Sequence, residues 1–300
     1  MRTVIGIRTH RWGQEEERLL AQLSGAFSGD IVVVFHNRAA GELPPLEVVD
    51  INDAWIEKND LRNIPDWAWR CGDYFYYALR TAKPDYDFYW LVEPDVFFSS
   101  DPADFFNRFK DVPSDALGSD IKPHTADIPF TRALHGVEPF QAIFPLTRFS
   151  GRALDYLFAQ RQAYGRTDAG KRTFANDEIF CFSNMVASDT HVTESFQTYA
   201  PEWFSNKLFV TNPTLMFDAV RKDVGPNQIC HPVRSRAAFV SAVAVRLAAN
   251  DGFLRKMRSS LSLLTDAEVD EIVALSSGLL RKSMEEYRVP GVLVRRSRRK

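Results

Sequence analysis

The chain has 300 residues, of which 45% are hydrophobic and 25% charged, and its formal net charge is −2. A chain of this length can bury roughly three quarters of its unfolded surface, so its fold does not depend on disulfides. The near-neutral charge gives no general basic field, which argues against a nucleic-acid partner. The three cysteines lie far apart and form no CxxC pair, which argues against a zinc site or a disulfide framework.

The first residues enter a strand pattern at Val4 and lack the long apolar run and small-residue cleavage site of a signal peptide. No stretch of 18 apolar residues is present, so no transmembrane helix is expected. Unpaired cysteines suit a reducing compartment. We therefore expect a cytoplasmic protein.

Predicted strands and helices alternate along the first hundred residues. Strands are predicted at 4–7, 31–35, 46–51 and 88–92, and helices at 14–27 and 67–83. The run 31–35 is continuously apolar, as strands buried on both faces are. This alternation predicts an α/β fold with a mostly parallel central sheet flanked by helices.

The second half of the chain predicts further strands at 116–118 and 140–144, and helix N-caps at Ser150 and Asn176. After about residue 235 aromatic residues become rare, and helices are predicted at 237–249 and 265–287. Thr265 and Glu268 form a capping-box pattern at the start of the last helix. We expect an α/β domain over 1–235, a helical extension packed on it over 236–290, and a basic disordered tail over 291–300.

An acidic motif follows the most apolar predicted strand, where residues 88–92 run directly into Glu93-Pro94-Asp95. Residues i and i+2 of an extended chain point the same way, and ligands of open α/β sheets bind beyond the carboxyl ends of strands. Two carboxylates that face one point suit a hard divalent cation. The alternative is an acidic turn whose carboxylates are only solvated.

The run YDFYWLVEPDV over 86–96 resembles the strand and the Asp-x-Asp-type motif of glycosyltransferase-A-fold (GT-A) enzymes, in the nucleotide-diphospho-sugar transferase superfamily. The preceding WRCGDY, at 69–74, is similar to a less characterised branch of that superfamily. The resemblance covers about residues 1–235 and is specific over 67–98. It implies a glycosyltransferase that moves a sugar from a nucleotide-diphosphate donor to a hydroxyl of a glycan, lipid or protein, with Mn²⁺ or Mg²⁺ as cofactor.

The resemblance implies a metal site. Asp95 is the expected ligand, and Glu93 stands where the commonest motif has Asp. Glu93 therefore has three open roles: a direct ligand, a ligand through water, or a contact to the donor ribose. His231, followed by Pro232, is the candidate third ligand, because a histidine near the end of the catalytic domain often completes such sites. The alternative for His231 is a loop histidine with one hydrogen bond.

The acceptor side is expected at Asp177 and Glu178, which follow Asn176 at the start of a predicted helix. In an inverting transfer one carboxylate takes the proton of the acceptor hydroxyl. In a retaining transfer no such base is needed, and the two residues would only bind the acceptor. The alternative is that both acids stabilise the helix start through its dipole.

Polar residues after the predicted strands form the expected donor pocket, because the carboxyl ends of parallel strands share one edge of a sheet. The candidates that follow strands are Arg8, Thr9, His10, His36, Asn37 and Asp53. Arg70 and Asp73, on the predicted helix before the acidic motif, and Glu93 complete the set. Arg70 and Asp73 are also spaced to pair with each other. Trp12 and Trp203 are predicted sugar-stacking platforms, whereas Trp69 and Trp90 are predicted to pack in the core.

Two other functions stay open. A non-catalytic protein could keep the fold and bind a nucleotide sugar or a glycan. A sugar nucleotidyltransferase is disfavoured, because such enzymes have a Gly- and Lys/Arg-rich loop after the first strand and the loop at 8–13 has one glycine. The basic tail at 295–300 could add a weak peripheral contact with an anionic membrane, at about 1 kcal/mol per basic residue, or be only solvated.

Overall fold

The computed structural model describes residues 1–38, 44–125, 129–132, 134, 136–168, 170, 173–248 and 258–287. The chain divides into two compact units: the first comprises 1–211 and 224–232, and the second comprises 212–223 and the chain from Val233 onward. The predicted domain boundary at 235 stays a prediction. The predicted tail at 291–300 lies outside the described residues.

The strands, in chain order, are β1 Thr3–Thr9, β2 Asp30–His36, β3 Val48–Ile51, β4 Phe88–Val92, β5 Phe97–Phe98, β6 Ala116–Pro123, β7 Phe140–Ser150, β8 Thr193–Ser195, β9 Leu215–Met216, β10 Ile229–Cys230 and β11 Val233–Arg234. Seven of them form one sheet in the order β3-β2-β1-β4-β7-β6-β8. Both β4 and β6 pair with β7 in antiparallel fashion, and the other pairs are parallel. The predicted α/β fold with a mostly parallel sheet is confirmed.

The α-helices are α1 Gln14–Leu23, α2 Asp53–Lys58, α3 Trp67–Arg70, α4 Gly72–Ala82, α5 Ala103–Arg108, α6 Pro129–Arg132, α7 Gly151–Arg166, α8 Asp177–Val186, α9 Phe217–Asp223, α10 Arg236–Ala248, α11 Arg258–Leu261 and α12 Asp266–Tyr287. Both predicted N-caps are confirmed, because Ser150 accepts a hydrogen bond from the Ala153 N–H and Asn176 accepts one from the Ile179 N–H. The caps fix the residues at which α7 and α8 begin.

Helices cover both faces of the sheet because its central strands are apolar on both sides. In β1, Val4 belongs to the core that includes residues of α4, α7 and α8. Ile5 and Ile7 belong to the core that includes residues of α1 and α5. Strand β4 divides in the same way, with Leu91 in the first core and Trp90 in the second. The carboxyl end of β4 therefore emerges between two helical layers.

The predicted helix over 67–83 is interrupted at Cys71, whose φ of −125° and ψ of 62° are not helical. A continuous helix would bond the Gly72 N–H to the Ala68 carbonyl. Instead, Gly72 donates to the Asp177 carboxylate, and the Ala68 carbonyl accepts from Arg8. The prediction of one helix was wrong, because side chains from distant strands and helices take over its backbone groups.

The second unit contains α9 to α12 and the short parallel pair β9–β11. Phe239, Val240 and Val243 of α10 share a buried cluster with Ile272 of α12. The capping box is confirmed, because Glu268 accepts from the Thr265 N–H and donates its own N–H to the Thr265 hydroxyl. Within the described part of the chain, no helix has the length and apolarity needed to cross a membrane.

Candidate functional site

The acidic motif forms a tight turn at the carboxyl end of β4, in the middle of the sheet. The Glu93 N–H bonds to the Pro145 carbonyl, and the Val96 N–H bonds back to the Glu93 carbonyl. Asp95 is buried and Glu93 is partly exposed. Both carboxylates therefore lie where open α/β sheets bind their ligands.

His231 reaches this turn through a short strand pair. Strand β5, just after the turn, pairs with β10, so that Cys230 lies opposite Phe97 and His231 follows beside the turn. The His231 Nδ1 lies 2.7 Å from the Val210 carbonyl oxygen. Because a carbonyl only accepts, Nδ1 carries a proton, and the imidazole presents Nε2 to the carboxylates.

The Nε2 of His231 lies 3.4 Å from Asp95 Oδ1 and 4.0 Å from Glu93 Oε2. Ligand atoms of the three residues all lie within 4.8 Å of one another, and no other group of this kind occurs in the described ranges. Two carboxylates and one imidazole suit Mn²⁺, and the carboxylates suit Mg²⁺. The donor set therefore fits the cation that the motif predicts.

His231 is buried, which pulls its pKa down, but the neighbouring Asp95 and Glu93 carboxylates outweigh burial and hold the pKa above its usual value. A cation bound by Nε2 would have to displace the proton that these carboxylates favour. Cation binding at this site would therefore be coupled to proton release.

Arg8 lies beside the cluster, with its side chain only 8% exposed. Its Nη1 donates to Glu93 Oε1 at 2.6 Å and lies 3.6 Å from Asp177 Oδ2. Its Nη2 donates to the Ala68 carbonyl at 2.6 Å and lies 3.1 Å from the Trp69 carbonyl oxygen. Arg8 thus joins the end of β4, the end of α3 and the start of α8.

Asp177 is buried at the start of α8, and both of its carboxylate oxygens are bonded. Oδ2 accepts from the Gly72 N–H at 2.6 Å, and Oδ1 accepts from the Glu178 N–H at 2.8 Å. Burial raises the pKa of Asp177 to about 8, although the charge of Arg8 opposes the rise. A carboxylate held in this way supports the local backbone.

Glu178 is partly exposed, and Asn176 hydrogen-bonds its carboxylate. Its pKa is raised to about 7, by burial and by the negative charge of Glu93, while His231 and Asn176 act in the other direction. Glu178 is therefore electrostatically coupled to the residues around the acidic turn, and it titrates near neutral pH.

The predicted donor residues at the ends of β1 and β2 do lie near each other. Burial lowers the pKa of His36, and the charges of His10 and Arg8 lower it further, while Asp53 opposes them. His36 packs edge-to-face on Trp67, with ring centroids 4.6 Å apart, and the Trp67 indole N–H donates to Asp53. His10 and Asp53 are exposed. A neutral imidazole and an indole thus border a polar edge of the sheet.

Asn37 is exposed next to His36, and its φ of 48° lies in the left-handed region. Asparagine adopts that conformation more readily than most residues. Its N–H donates to the Ile51 carbonyl. This position explains the residue type through the backbone, and a role in donor binding stays a prediction.

Three residues that were predicted to bind the donor form hydrogen bonds or ion pairs with other residues of the protein. Asp73 is 1% exposed and binds Arg161 through both carboxylate oxygens, at 2.6 and 3.0 Å. The buried Thr9 hydroxyl lies 2.7 Å from Glu16 Oε1 and accepts from the Arg11 N–H. Arg70 donates to the Phe174 carbonyl and pairs with Asp66, not with Asp73. The polar side-chain atoms of Asp73 and Thr9 are buried and bonded within the protein, which favours a structural role, and their contact with the donor stays a prediction.

Two of the tryptophans differ from prediction. Trp203 is fully buried between Phe98 and Phe105, so the structure contradicts its predicted role as a platform. Trp69 was predicted to pack in the core, yet it is 75% exposed. Its backbone carbonyl oxygen lies 3.1 Å from Arg8 Nη2. Trp12 is half-buried and Trp90 is buried.

The sequence did not reveal the Arg8 linkage, the use of Gly72 or the burial of Asp73. Two features of the sequence point to these contacts. An isolated glycine inside a helical pattern, such as Gly72, often has a packing or functional reason. Arg161 also falls on the apolar stripe of α7 with Ala153 and Leu157, where a charged residue needs a buried partner.

Comparisons with known proteins identify no family for this chain. No family model matches the sequence, and no curated protein matches it. Among solved structures, a Bacillus anthracis protein assigned as a glucose-1-phosphate thymidylyltransferase, solved with a sucrose, covers 65% of this chain and 86% of its own, with 9% identity and a TM-score of 0.37. The 4-diphosphocytidyl-2C-methyl-D-erythritol synthase of Anaerococcus prevotii covers 65% and 88%, with 10% identity and a TM-score of 0.39. At such low scores these likenesses decide neither activity nor substrates.

Proposed function

We propose that the chain is a metal-dependent glycosyltransferase that moves a sugar from a nucleotide-diphosphate donor to a hydroxyl acceptor. The observation that carries this proposal is the convergence of Glu93, Asp95 and His231 at the carboxyl end of β4. Glu178, with a pKa raised to about 7, is electrostatically coupled to the same cluster. A cation site beside a carboxylate that titrates near neutrality suits transfer to a hydroxyl.

The cation would be held by Asp95 and the His231 Nε2, with Glu93 at its second oxygen. When bound, Mn²⁺ or Mg²⁺ would neutralise the charge that develops on the departing nucleotide diphosphate. Val210 keeps the His231 ring oriented, because its carbonyl accepts from Nδ1. The buried surroundings of Asp95 exclude water from one side of the site.

Glu178 is the proposed base toward the acceptor hydroxyl. Its carboxylate is partly exposed, whereas both Asp177 oxygens are taken by backbone N–H groups. A base with a pKa near the working pH is deprotonated in a substantial fraction of the molecules and still has enough proton affinity to accept a proton from the hydroxyl. Asp177 would then support the start of α8 and hold Glu178 in place. This assignment applies to an inverting transfer.

The donor nucleotide is proposed to bind where β1, β2 and β3 end, next to His10, His36, Asn37 and Asp53. The acceptor is proposed to stack on the exposed indole of Trp69, a residue whose backbone carbonyl contacts Arg8. Tryptophan offers a large apolar face that can cover one side of a sugar ring.

A thermal-shift experiment tests the proposal. Wild type, Asp95→Asn and the exposed-site control Asp189→Asn are melted with UDP, GDP, CDP or CMP, each with and without Mn²⁺. A nucleotide at a hundredfold excess over its dissociation constant stabilises the native state by about 2.7 kcal/mol. We expect one nucleotide to raise the melting temperature only with Mn²⁺, in wild type and Asp189→Asn but not in Asp95→Asn.

A second assay measures release of the nucleotide diphosphate from the sugar donor that carries the same nucleotide. It distinguishes an enzyme, which releases the diphosphate, from a binding protein, which does not. Wild type should release the diphosphate with Mn²⁺, and Asp95→Asn should not. Binding without release would assign the chain to the non-catalytic class. No metal-dependent shift with any nucleotide would refute the proposed mechanism.

A further inference from the structure

Arg8 is enclosed by groups from four parts of the first unit. Its guanidinium contacts the Glu93 carboxylate, the Asp177 carboxylate and the last carbonyls of α3, and it lies 4.8 Å from the centre of the Phe75 ring. A charged side chain that is only 8% exposed is stable only when it is paired. Arg8 is therefore held in one orientation, and it is not a mobile ligand for phosphate.

Gly72 provides the space for this arrangement. A Cβ atom at position 72 would stand 2.5 Å from Arg8 Nη1, 2.6 Å from Asp177 Oδ2 and 2.6 Å from the Phe144 ring. These are closer than nonbonded atoms allow, so any other residue at 72 would push the guanidinium or the carboxylate away. The break between α3 and α4 and the glycine after it together accommodate Arg8.

Arg8 and a cation would compete for Glu93. Arg8 already binds Oε1 of this carboxylate at 2.6 Å, and Oε2 faces His231. A dication bound by Asp95 and His231 would share Glu93 with a fixed positive charge. Like charges repel, and each weakens the hold of the other on the shared carboxylate.

We propose that Arg8 is a positioning residue that limits the intrinsic affinity of the cation site by holding back Glu93, so that the cation binds firmly only together with the diphosphate of the donor. This inference rests on the proposed function, because it requires the cation site. Arg8 also couples that site to Asp177, which anchors the start of α8 and thereby Glu178.

The test is a Mn²⁺ titration without nucleotide, in which the electron paramagnetic resonance signal of free Mn²⁺ reports how much Mn²⁺ is bound. Arg8→Gln removes the charge, and Arg8→Lys keeps it. Arg11→Gln is the matched control, because it removes the same charge from an exposed side chain three residues further on. We expect Arg8→Gln to bind Mn²⁺ about tenfold more tightly than wild type, with Arg8→Lys and Arg11→Gln close to wild type.

A purely structural role of Arg8 would give the opposite sign, because a distorted site binds Mn²⁺ more weakly. Equal or weaker binding by a folded Arg8→Gln variant therefore overturns the inference and leaves the proposed function standing. If wild type binds no Mn²⁺ even with nucleotide, the proposed function fails and the inference fails with it. If Arg8→Gln does not fold, Gly72→Ala replaces it: tighter Mn²⁺ binding supports the inference, and unchanged or weaker binding overturns it.

Discussion

The buried pair Asp73–Arg161 gives a prediction that separates a structural role from a donor-binding role. The Asp73 side chain is 1% exposed and the Arg161 side chain 0%, and two hydrogen bonds of 2.6 and 3.0 Å join them. Arg161 also donates to the Ala175 carbonyl at 2.9 Å, and Tyr77 donates to Asp73 at 3.0 Å. The pair ties α4 to α7 and to the segment before α8.

Breaking the pair from one side leaves the other charge buried without its counter-charge. That situation costs about 3–5 kcal/mol, so Asp73→Asn and Arg161→Met should each lower the free energy of unfolding by this amount. At about 2–4 °C per kcal/mol for a unit of this size, the melting temperature should fall by about 10 °C. The double variant removes both charges and should cost less than the sum of the two single variants.

Urea denaturation of wild type, both single variants and the double variant completes a double-mutant cycle. We expect a coupling energy of about 3 kcal/mol between residues 73 and 161. Nucleotide affinity, measured below the unfolding transition, should be similar in all four proteins. Single variants that cost less than about 1 kcal/mol would refute the structural reasoning. A loss of nucleotide affinity that the double variant does not restore would return Asp73 to the donor site.

Two further predictions concern the acceptor side. The proposed base must be deprotonated and the pKa of Glu178 is raised to about 7, so the transfer rate should rise with pH up to about 7 and then level. This rise on the acid side should vanish in Glu178→Gln and persist in Asp177→Asn. An unchanged pH profile in Glu178→Gln contradicts the assignment of Glu178 as the base. Trp69→Ala should change the free energy of unfolding by no more than about 0.5 kcal/mol and raise the KM for the acceptor. The buried Trp203 is the contrast, because Trp203→Ala should lower the free energy of unfolding in urea by about 3–5 kcal/mol. An unchanged acceptor KM in Trp69→Ala would exclude Trp69 as the stacking platform.

The sequence predicted the elements that depend on local pattern. Strand β4 and the turn after it were clear, because five consecutive apolar residues precede an acidic pair. Both N-caps were correct because Ser150 and Asn176 act within three residues of themselves. The site residues that local pattern identified, Glu93 and Asp95, do lie at the predicted edge.

Side-chain direction at the ends of strands could not be predicted in this way. Arg8 and Thr9 are consecutive in β1, so they point to opposite faces. Arg8 turns toward Phe75 of α4, and Thr9 turns toward Glu16 of α1. Which face carries the site depends on the helices that pack there, and this is a long-range property. The same holds for Asp73, whose partner Arg161 lies 88 residues away.

The charge balance of the site gives a physical reason for the helix break at Cys71. In the described part of the chain, Arg8 contacts Asp177 and one oxygen of Glu93, and the imidazole of His231 lies 3.4 Å from Asp95. A hard dication would add positive charge where these carboxylates cluster. A continuous helix over 67–83 would occupy the Ala68 and Trp69 carbonyls that now accept from Arg8. Arg8 would then compete with helix N–H groups for the carbonyls that help to hold it between the Glu93 and Asp177 carboxylates.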